Sequence, residues 1–158
     1  MEIKIIDCIN RMLEFPEIFT LNKQTNTDIL KYFKETFQCE YFQKEFYEFI
    51  AIIDGIAMPE LTIFSITNEN KNSLFLNFED YSTDQDIEEY CKGIKKAEGK
   101  DWLFIGTDNN GGRFGISKKV PNDKIFYFNR SVNSTIAIYD NFATFLNDKI
   151  EKTIRKYI

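Results

Sequence analysis

Apolar residues recur at helical spacing through the first third of the chain and predict three helices there. The first helix lies within residues 1–20. The second begins after Thr27, a residue type favoured at N-caps, and a break near Cys39-Glu40 separates it from the third, which Asp54-Gly55 closes. The polar stretch Leu21–Thr27 predicts a loop. The three apolar stripes consist of Ile3, Ile6, Ile9, Met12 and Leu13; Ile29, Leu30, Phe33 and Phe37; and Phe42, Phe46, Phe49, Ile50 and Ile53.

The pattern changes in the middle of the chain, where β-branched and aromatic runs alternate with turn-forming residues. Leu61–Ile66 predicts a strand. Leu74–Phe78 fits either a strand or an irregular packed segment, and the pattern does not decide between them. A capping box formed by Ser82 and Gln85 starts a further helix, which ends before Gly99.

The second half predicts antiparallel strands joined by turns and followed by a terminal helix. Asp140 or Asn141 caps that helix, whose apolar residues repeat at helical spacing from Phe142 to Tyr157. Helices on both sides of a run of strands indicate an α+β fold, with one antiparallel sheet of about five to six strands and helices packed around it. At 158 residues the chain is a single domain. The predicted strands are Trp102–Gly106, Arg113–Ser117, Ile125–Phe128 and Thr135–Tyr139.

A glycine-rich segment, Gly106–Gly112, joins the first two of these strands and predicts a hairpin turn, because Asn and Gly adopt the positive φ angles of such turns. It lacks the GxxxxGK[ST] pattern of a phosphate-binding loop, and a strand follows it where that loop has a helix. A calcium loop is disfavoured because Lys119 stands at the position of the bidentate glutamate. The residues assigned to structural turns are Asp54, Gly55, Gly106, Asp108, Gly111 and Gly112.

The composition narrows the chemistry, because the chain contains no histidine. Histidine-dependent triads, general bases and metal sites are therefore excluded, and no spacing of carboxylates or thiols marks another catalytic centre. We expect no enzymatic activity, no metal and no cofactor. Cys8, Cys39 and Cys91 have no CxxC spacing, which favours buried, reduced thiols in the cytoplasm. The aromatic residues, 16 Phe, 8 Tyr and 1 Trp, predict a core built largely from rings.

The charge of the chain disfavours two classes of partner. A net charge of −5 and a pI near 4.9 argue against nucleic acid and anionic membranes, and the chain has neither a signal-peptide pattern nor an apolar stretch long enough to span a bilayer. The acidic stretch Glu79–Glu89 is either a solvated helix start or a docking face for a basic partner. In the second case the outward carboxylates make the contacts: Glu79, Asp80, Asp84 and Glu88.

Three motifs, in a fixed order, carry a family resemblance. They are FYEFI followed by DG in residues 46–55, WLFIGTD followed by GGRFGI in residues 102–116, and IAIYDNFATFL in residues 136–146. Together they resemble the SUKH superfamily, which joins fungal Smi/Knr cell-wall-assembly regulators to bacterial immunity proteins of polymorphic toxin systems. The likeness covers about residues 27–149. The chain departs from the family at Cys39-Glu40, where Leu-Pro is frequent, so the identity of a partner is not carried over.

The resemblance implies a non-catalytic protein-binding module. In bacteria such a module commonly neutralises a cognate toxin, and a basic toxin domain would complement an acidic surface. The fungal members imply an alternative, a regulatory scaffold linked to cell-wall assembly, and a histidine-free enzyme is the third hypothesis. The family motifs supply turn glycines and core aromatics, so the resemblance transfers no catalytic residue.

Overall fold

A computed structural model describes residues 2–37, 43–66, 102–117, 123–128 and 136–158. Within these residues the chain forms four helices, α1 to α4, and seven strands, β1 to β7. In chain order they are α1 (Ile5–Leu13), β1 (Thr20–Lys23), α2 (Ile29–Phe37), α3 (Lys44–Ile50), β2 (Ile53–Met58), β3 (Leu61–Ile63), β4 (Trp102–Asp108), β5 (Arg113–Ser117), β6 (Ile125–Phe128), β7 (Ile136–Tyr139) and α4 (Phe142–Tyr157).

The strands form one antiparallel sheet whose order across the sheet follows the order along the chain. Leu61 of β3 lies opposite Asp108 of β4, although these strands are far apart in sequence. β4 and β5 form the predicted hairpin, with an irregularity in register between Phe104 and Gly106. The α+β class with one antiparallel sheet, N-terminal helices and a C-terminal helix is confirmed.

The first helix packs against α3 and α4 through one apolar face. It occupies the middle of the predicted segment 1–20, and its first turn carries Asp7, which complements the helix dipole. Arg11 lies on the flank and donates from Nε to Glu151 Oε1 of α4 at 3.0 Å. The buried face, at helical spacing, consists of Ile5, Cys8, Ile9 and Met12.

Aromatic rings connect the helices to the sheet, as the composition predicts. The ring centroids of Phe46 in α3 and Phe142 in α4 are 5.3 Å apart in an edge-to-face arrangement. Phe145, one turn further along α4, lies 4.9 Å from Phe114 of β5. Tilted and edge contacts suit the ring quadrupole, and each contributes about 0.5–1.5 kcal/mol beyond the burial of area. The core is therefore held by ring contacts that cross between layers.

The predicted count of five to six strands is too low, and one reason is β1. The sequence predicts a loop over Leu21–Thr27, whereas β1 spans Thr20–Lys23 and Leu21 lies opposite Ile56 of β2. This strand is the first in the sheet order, and its side chains are exposed or half-buried. An edge strand of this kind has no buried face, so its sequence carries no alternation of apolar and polar residues.

The predicted helix end at Asp54-Gly55 is wrong. α3 ends at Ile50, a two-residue turn follows, and β2 begins at Ile53. Ile53 continues the apolar spacing of the helix, yet it pairs with Lys23 of β1. Since the local pattern suits both structures, the pairing with a neighbouring strand decides between them.

Two of the remaining predicted elements lie outside the described residues, and the others are observed. Leu74–Phe78 and the helix that begins at Ser82 lie outside the described residues. The predicted strand Leu61–Ile66 is shorter as β3, although the Phe64 N–H still donates to the Ile105 carbonyl at 2.9 Å. The strands predicted in the second half occur as β4 to β7, with ends within two residues of the predicted ones.

Candidate functional site

The acidic face that the sequence predicts for a basic partner lies outside the described residues. The assignment of Glu79, Asp80, Asp84 and Glu88 to that face therefore stays a prediction. In the part of the chain that the structure describes, four features carry polar or reactive groups of interest: the β4–β5 turn, a buried aspartate in β2, a thiol in α1 and a surface groove.

The β4–β5 turn is organised by the carboxylate of Asp108. Its Oδ1 accepts hydrogen bonds from the backbone N–H groups of Asn110 at 3.0 Å and Gly112 at 2.7 Å. Its Oδ2 accepts from the Tyr127 hydroxyl of β6 at 2.7 Å. Thr107 closes the turn from the other side, since its Oγ1 donates to the Gly112 carbonyl at 2.8 Å. These hydrogen bonds hold the turn together and tie it to β6.

The glycines assigned to turns have three different physical roles. Gly111 has a φ of +79°, which L side chains rarely adopt. Gly112 does not have a positive φ, but a Cβ there would collide with the ring and hydroxyl of Tyr127. The assignment of Gly106 to the turn is wrong, because it lies within β4, where a Cβ would be 2.7 Å from the Thr62 carbonyl oxygen of β3.

Asp54 and Gly55 lie within β2. Asp54 is fully buried, and its carboxylate accepts from the Ser65 hydroxyl at 2.9 Å and from the Ile66 backbone N–H at 2.6 Å. Gly55 has a φ of +102°, so the strand is irregular at this point. These hydrogen bonds join the chain that leaves β3 to the start of β2. Asp54 acts as an internal tie rather than a helix terminator.

Cys8 is the thiol that the structure describes as free and buried. Its Sγ lies 4.0 Å from the Ala143 carbonyl oxygen of α4. Burial, followed by the charge of Asp7, raises the pKa of the Cys8 thiol to about 11. Since the thiolate is the reactive form, Cys8 belongs to the core and is not a nucleophile. Cys39 and Cys91 lie outside the described residues.

A groove of about 800 Å³ lies between the N-terminal ends of α1 and α4 and runs along α3 to the turn that follows it. Its apolar part includes Ile6 of α1 and Ile52 of the α3–β2 turn, which leave 48% and 41% of their surface exposed. These values are high for isoleucine beside a well-packed core, because burial of apolar surface is favourable. The groove therefore presents apolar surface that the described part of the chain leaves uncovered.

Carboxylates surround this apolar surface. The lining carries five carboxylates and two lysines. Lys44 and Glu48, one turn apart on α3, approach to 3.9 Å, and both side chains are largely exposed, so this ion pair is weak. The acidic members of the lining are Glu2, Glu45, Glu48, Asp123 and Asp140, and the basic members are Lys4 and Lys44.

The carboxylates around the groove affect the pKa of Glu45. Its pKa is raised above the usual value for glutamate, first because the carboxyl group is partly desolvated and then because Asp123, Glu48 and Glu2 repel its charge. The backbone N–H of Ala143, in the first turn of α4, donates to the Glu45 carboxylate and opposes the rise. Glu45 thus caps α4 together with Asn141, whose side chain accepts from the Thr144 N–H at 2.8 Å.

The sequence does not reveal this groove, because its residues come from four separate stretches of the chain. One local signal exists in α1. The helix carries apolar residues beyond those on its buried face, and Ile6 and Leu13 are 48% and 59% exposed. Such a surplus indicates apolar surface outside the core. Only the fold shows that Ile6 lines the same groove as Ile52, whereas Leu13 does not line it.

The described residues were also compared with the requirements of a metal site and of a membrane-spanning helix. They contain no cluster of three or more acidic or cysteine side chains placed to hold a metal ion. None of the helices they form is both long enough and apolar enough to cross a membrane.

The fold places the chain among small α+β proteins in which helices pack on a single antiparallel sheet. The model of the SMI1 / KNR4 family (SUKH-1) matches residues 21–148, so the protein belongs to that family. The matched range agrees with the residues 27–149 that carry the resemblance, and the predicted family is confirmed. The search of curated proteins finds no match. The family includes immunity proteins and Smi1/Knr4 regulators, and its members are typically protein-interacting.

Proposed function

We propose that the protein is a non-catalytic binding module of the immunity type, which binds and neutralises a cognate toxin. Membership of the SMI1 / KNR4 family (SUKH-1) is the observation that carries this proposal. The chemistry of the described residues supports it. Asp54 and Asp108 are both committed to hydrogen bonds that hold the fold together, and Cys8 is buried in the core.

The groove supports the binding role more directly. It combines exposed isoleucine with a carboxylate rim, and a protein partner can cover both kinds of surface at once. The negative charge of the chain, −5 overall, favours a basic protein over nucleic acid as the partner. We further propose a cytoplasmic location, because Cys8 is a free thiol rather than half of a disulfide.

A regulatory scaffold linked to cell-wall assembly is the alternative, and the regulators within the same family favour it. The two functions differ in what the neighbouring genes encode. A toxin gene beside this one favours immunity, whereas a cluster for wall synthesis favours regulation.

The test of the immunity function is co-expression with the toxic domain encoded next to the gene. We expect growth to be restored by this protein, and the purified pair to form a stable complex. Immunoprecipitation from the native host with mass spectrometry identifies the partner in parallel. A wall-synthesis enzyme in place of a toxin would support the alternative, and turnover of a substrate by the purified protein would contradict both.

A further inference from the structure

We propose that the groove between α3 and the N-terminal ends of α1 and α4 docks a basic, partly aliphatic segment of the partner protein. This inference rests on the proposed protein-binding function and names the surface and the partner chemistry that carry it. The occupant is defined by two independent properties of the groove, its exposed apolar surface and its charge.

The apolar surface calls for an aliphatic contact. Ile6 and Ile52 line the groove from two different elements and keep 48% and 41% of their surface in water. Removing such surface from water is favourable, so a Leu, Ile or Val side chain that covers both residues gains affinity. Half-exposed side chains also mean that the groove is shallow. A shallow groove fits a segment of a larger protein better than a small molecule, which needs to be mostly enclosed.

The charge calls for Lys or Arg beside that aliphatic residue. The lining carries five carboxylates against two lysines, an excess of three negative charges. The N-terminal ends of α1 and α4 each add about half a positive charge. About two negative charges remain, so the helix ends do not turn the groove into an anion site.

The surroundings of Glu45 are consistent with a net negative charge in the groove. Its carboxyl group is repelled by Asp123, Glu48 and Glu2, which belong to three different parts of the chain. A cationic side chain placed between them would relieve that repulsion. Because Glu45 also caps α4, the change in charge that tests the proposal is made at other residues of the rim.

The first experiment locates binding with a defined probe. The probe is an acetylated and amidated peptide of about seven residues with alternating Lys and Leu, and its counterpart carries Glu in place of Lys. Isoleucine methyl groups labelled with ¹³C report the contact in NMR titrations. We expect the Ile6 and Ile52 signals to shift with the Lys peptide, whereas Ile138, which is 37% exposed on β7, keeps its position. The Glu peptide and sulfate should leave all three signals unchanged.

The second experiment separates the groove from the overall charge. Glu2→Lys with Glu48→Lys reverses two exposed carboxylates of the groove, and Glu17→Lys with Glu35→Lys makes the same change in net charge elsewhere. We expect the groove variant to weaken peptide binding at least about tenfold at low salt, and the control to weaken it less than about threefold. Ile6→Ser tests the apolar contact against Leu13→Ser on the same helix, which is more exposed but does not line the groove.

Several results would overturn the proposal. They are no binding of the Lys peptide at about 50 mM salt, equal losses in the groove and control variants, shifts of Ile138 as large as those of Ile6, and a response to sulfate instead. The native partner distinguishes this proposal from the proposed function. A toxin that binds the groove variant as tightly as the unaltered protein contradicts the docking surface alone. Failure of the unaltered protein to bind any such toxin contradicts the function itself.

Discussion

Replacing Asp54 with Ala is expected to destabilise the fold strongly, because the residue lies inside the fold. The side chain is fully buried, and its carboxylate accepts hydrogen bonds from the Ser65 hydroxyl and the Ile66 N–H. Hydrogen bonds to a charged group contribute about 1.5–3 kcal/mol each, and a buried donor left without a partner costs about 1–3 kcal/mol. The variant no longer buries the Asp54 charge, and the desolvation cost that it avoids offsets part of this loss. We therefore expect a loss of about 3–5 kcal/mol.

Thermal and urea unfolding measure this loss. At about 2–4 °C per kcal/mol for a chain of this size, Asp54→Ala should lower Tm by about 10 °C. Asp54→Asn keeps an acceptor for the Ile66 N–H and should lose about half as much. Ser65→Ala removes one of these hydrogen bonds to the carboxylate and should cost about 1.5–3 kcal/mol. A double-mutant cycle between Asp54→Ala and Ser65→Ala should give a coupling free energy near that of the shared hydrogen bond.

The matched control is Glu17→Ala, which removes an exposed carboxylate and should change stability by less than about 0.5 kcal/mol. An Asp54→Ala variant within about 1 kcal/mol of the unaltered protein would refute the account of Asp54 as an internal tie. A variant that stays fully stable yet no longer binds the partner would instead move Asp54 from the fold to the function.

Four further outcomes are expected. Gly111→Val should cost about 1–2 kcal/mol in urea unfolding, because φ is +79°, whereas Gly111→Asn should retain most of the stability, because Asn tolerates this conformation. Gly112→Ala should lower the free energy of unfolding although φ is not positive, because the new methyl group displaces Tyr127 from its hydrogen bond with Asp108. Adding Tyr127→Phe to Gly112→Ala should recover little of this loss, because the methyl group also collides with the ring. Cys8 should react with a thiol reagent at pH 8 only after denaturation, because burial raises its pKa to about 11. The raised pKa of Glu45 means that the folded state favours its protonated form, so this group's contribution to stability falls as pH rises above 4.5; Glu45→Gln should remove that slope in pH-dependent melts.

The second half of the chain could be predicted well because its signals are local. The β4–β5 hairpin follows from Asn and Gly in the turn, and the start of α4 follows from a capping residue before an apolar stripe. Asn141 is the residue that caps the helix, one of the two that the sequence offers. Such features depend on a few neighbouring side chains, so the sequence is sufficient to place them.

The errors occur where distant parts of the chain decide the structure. β1 reads TLNK and has no apolar face, so only its pairing with β2 makes it a strand. Ile53 extends a helical stripe, and the same pairing places it in a strand. Gly106 looks like part of a turn, but its small size serves the close approach of β3 to β4. Each of these outcomes depends on a neighbour that sequence spacing does not reveal.

The position of the groove relative to the family match bears on how a partner is selected. The family model begins at residue 21, whereas α1, which supplies Ile6 to the groove, precedes it. In the described part of the matched segment, the glycines serve turns and close backbone contacts, and most aromatic residues lie in the core. Exposed groove residues such as Glu48 and Ile52 carry little of the fold's stability, since changes at exposed positions alter it by only about 0.5 kcal/mol. With the docking role proposed above, partner specificity can change at the groove while the sheet and its packed rings stay intact. The groove is built partly by a helix outside the family match.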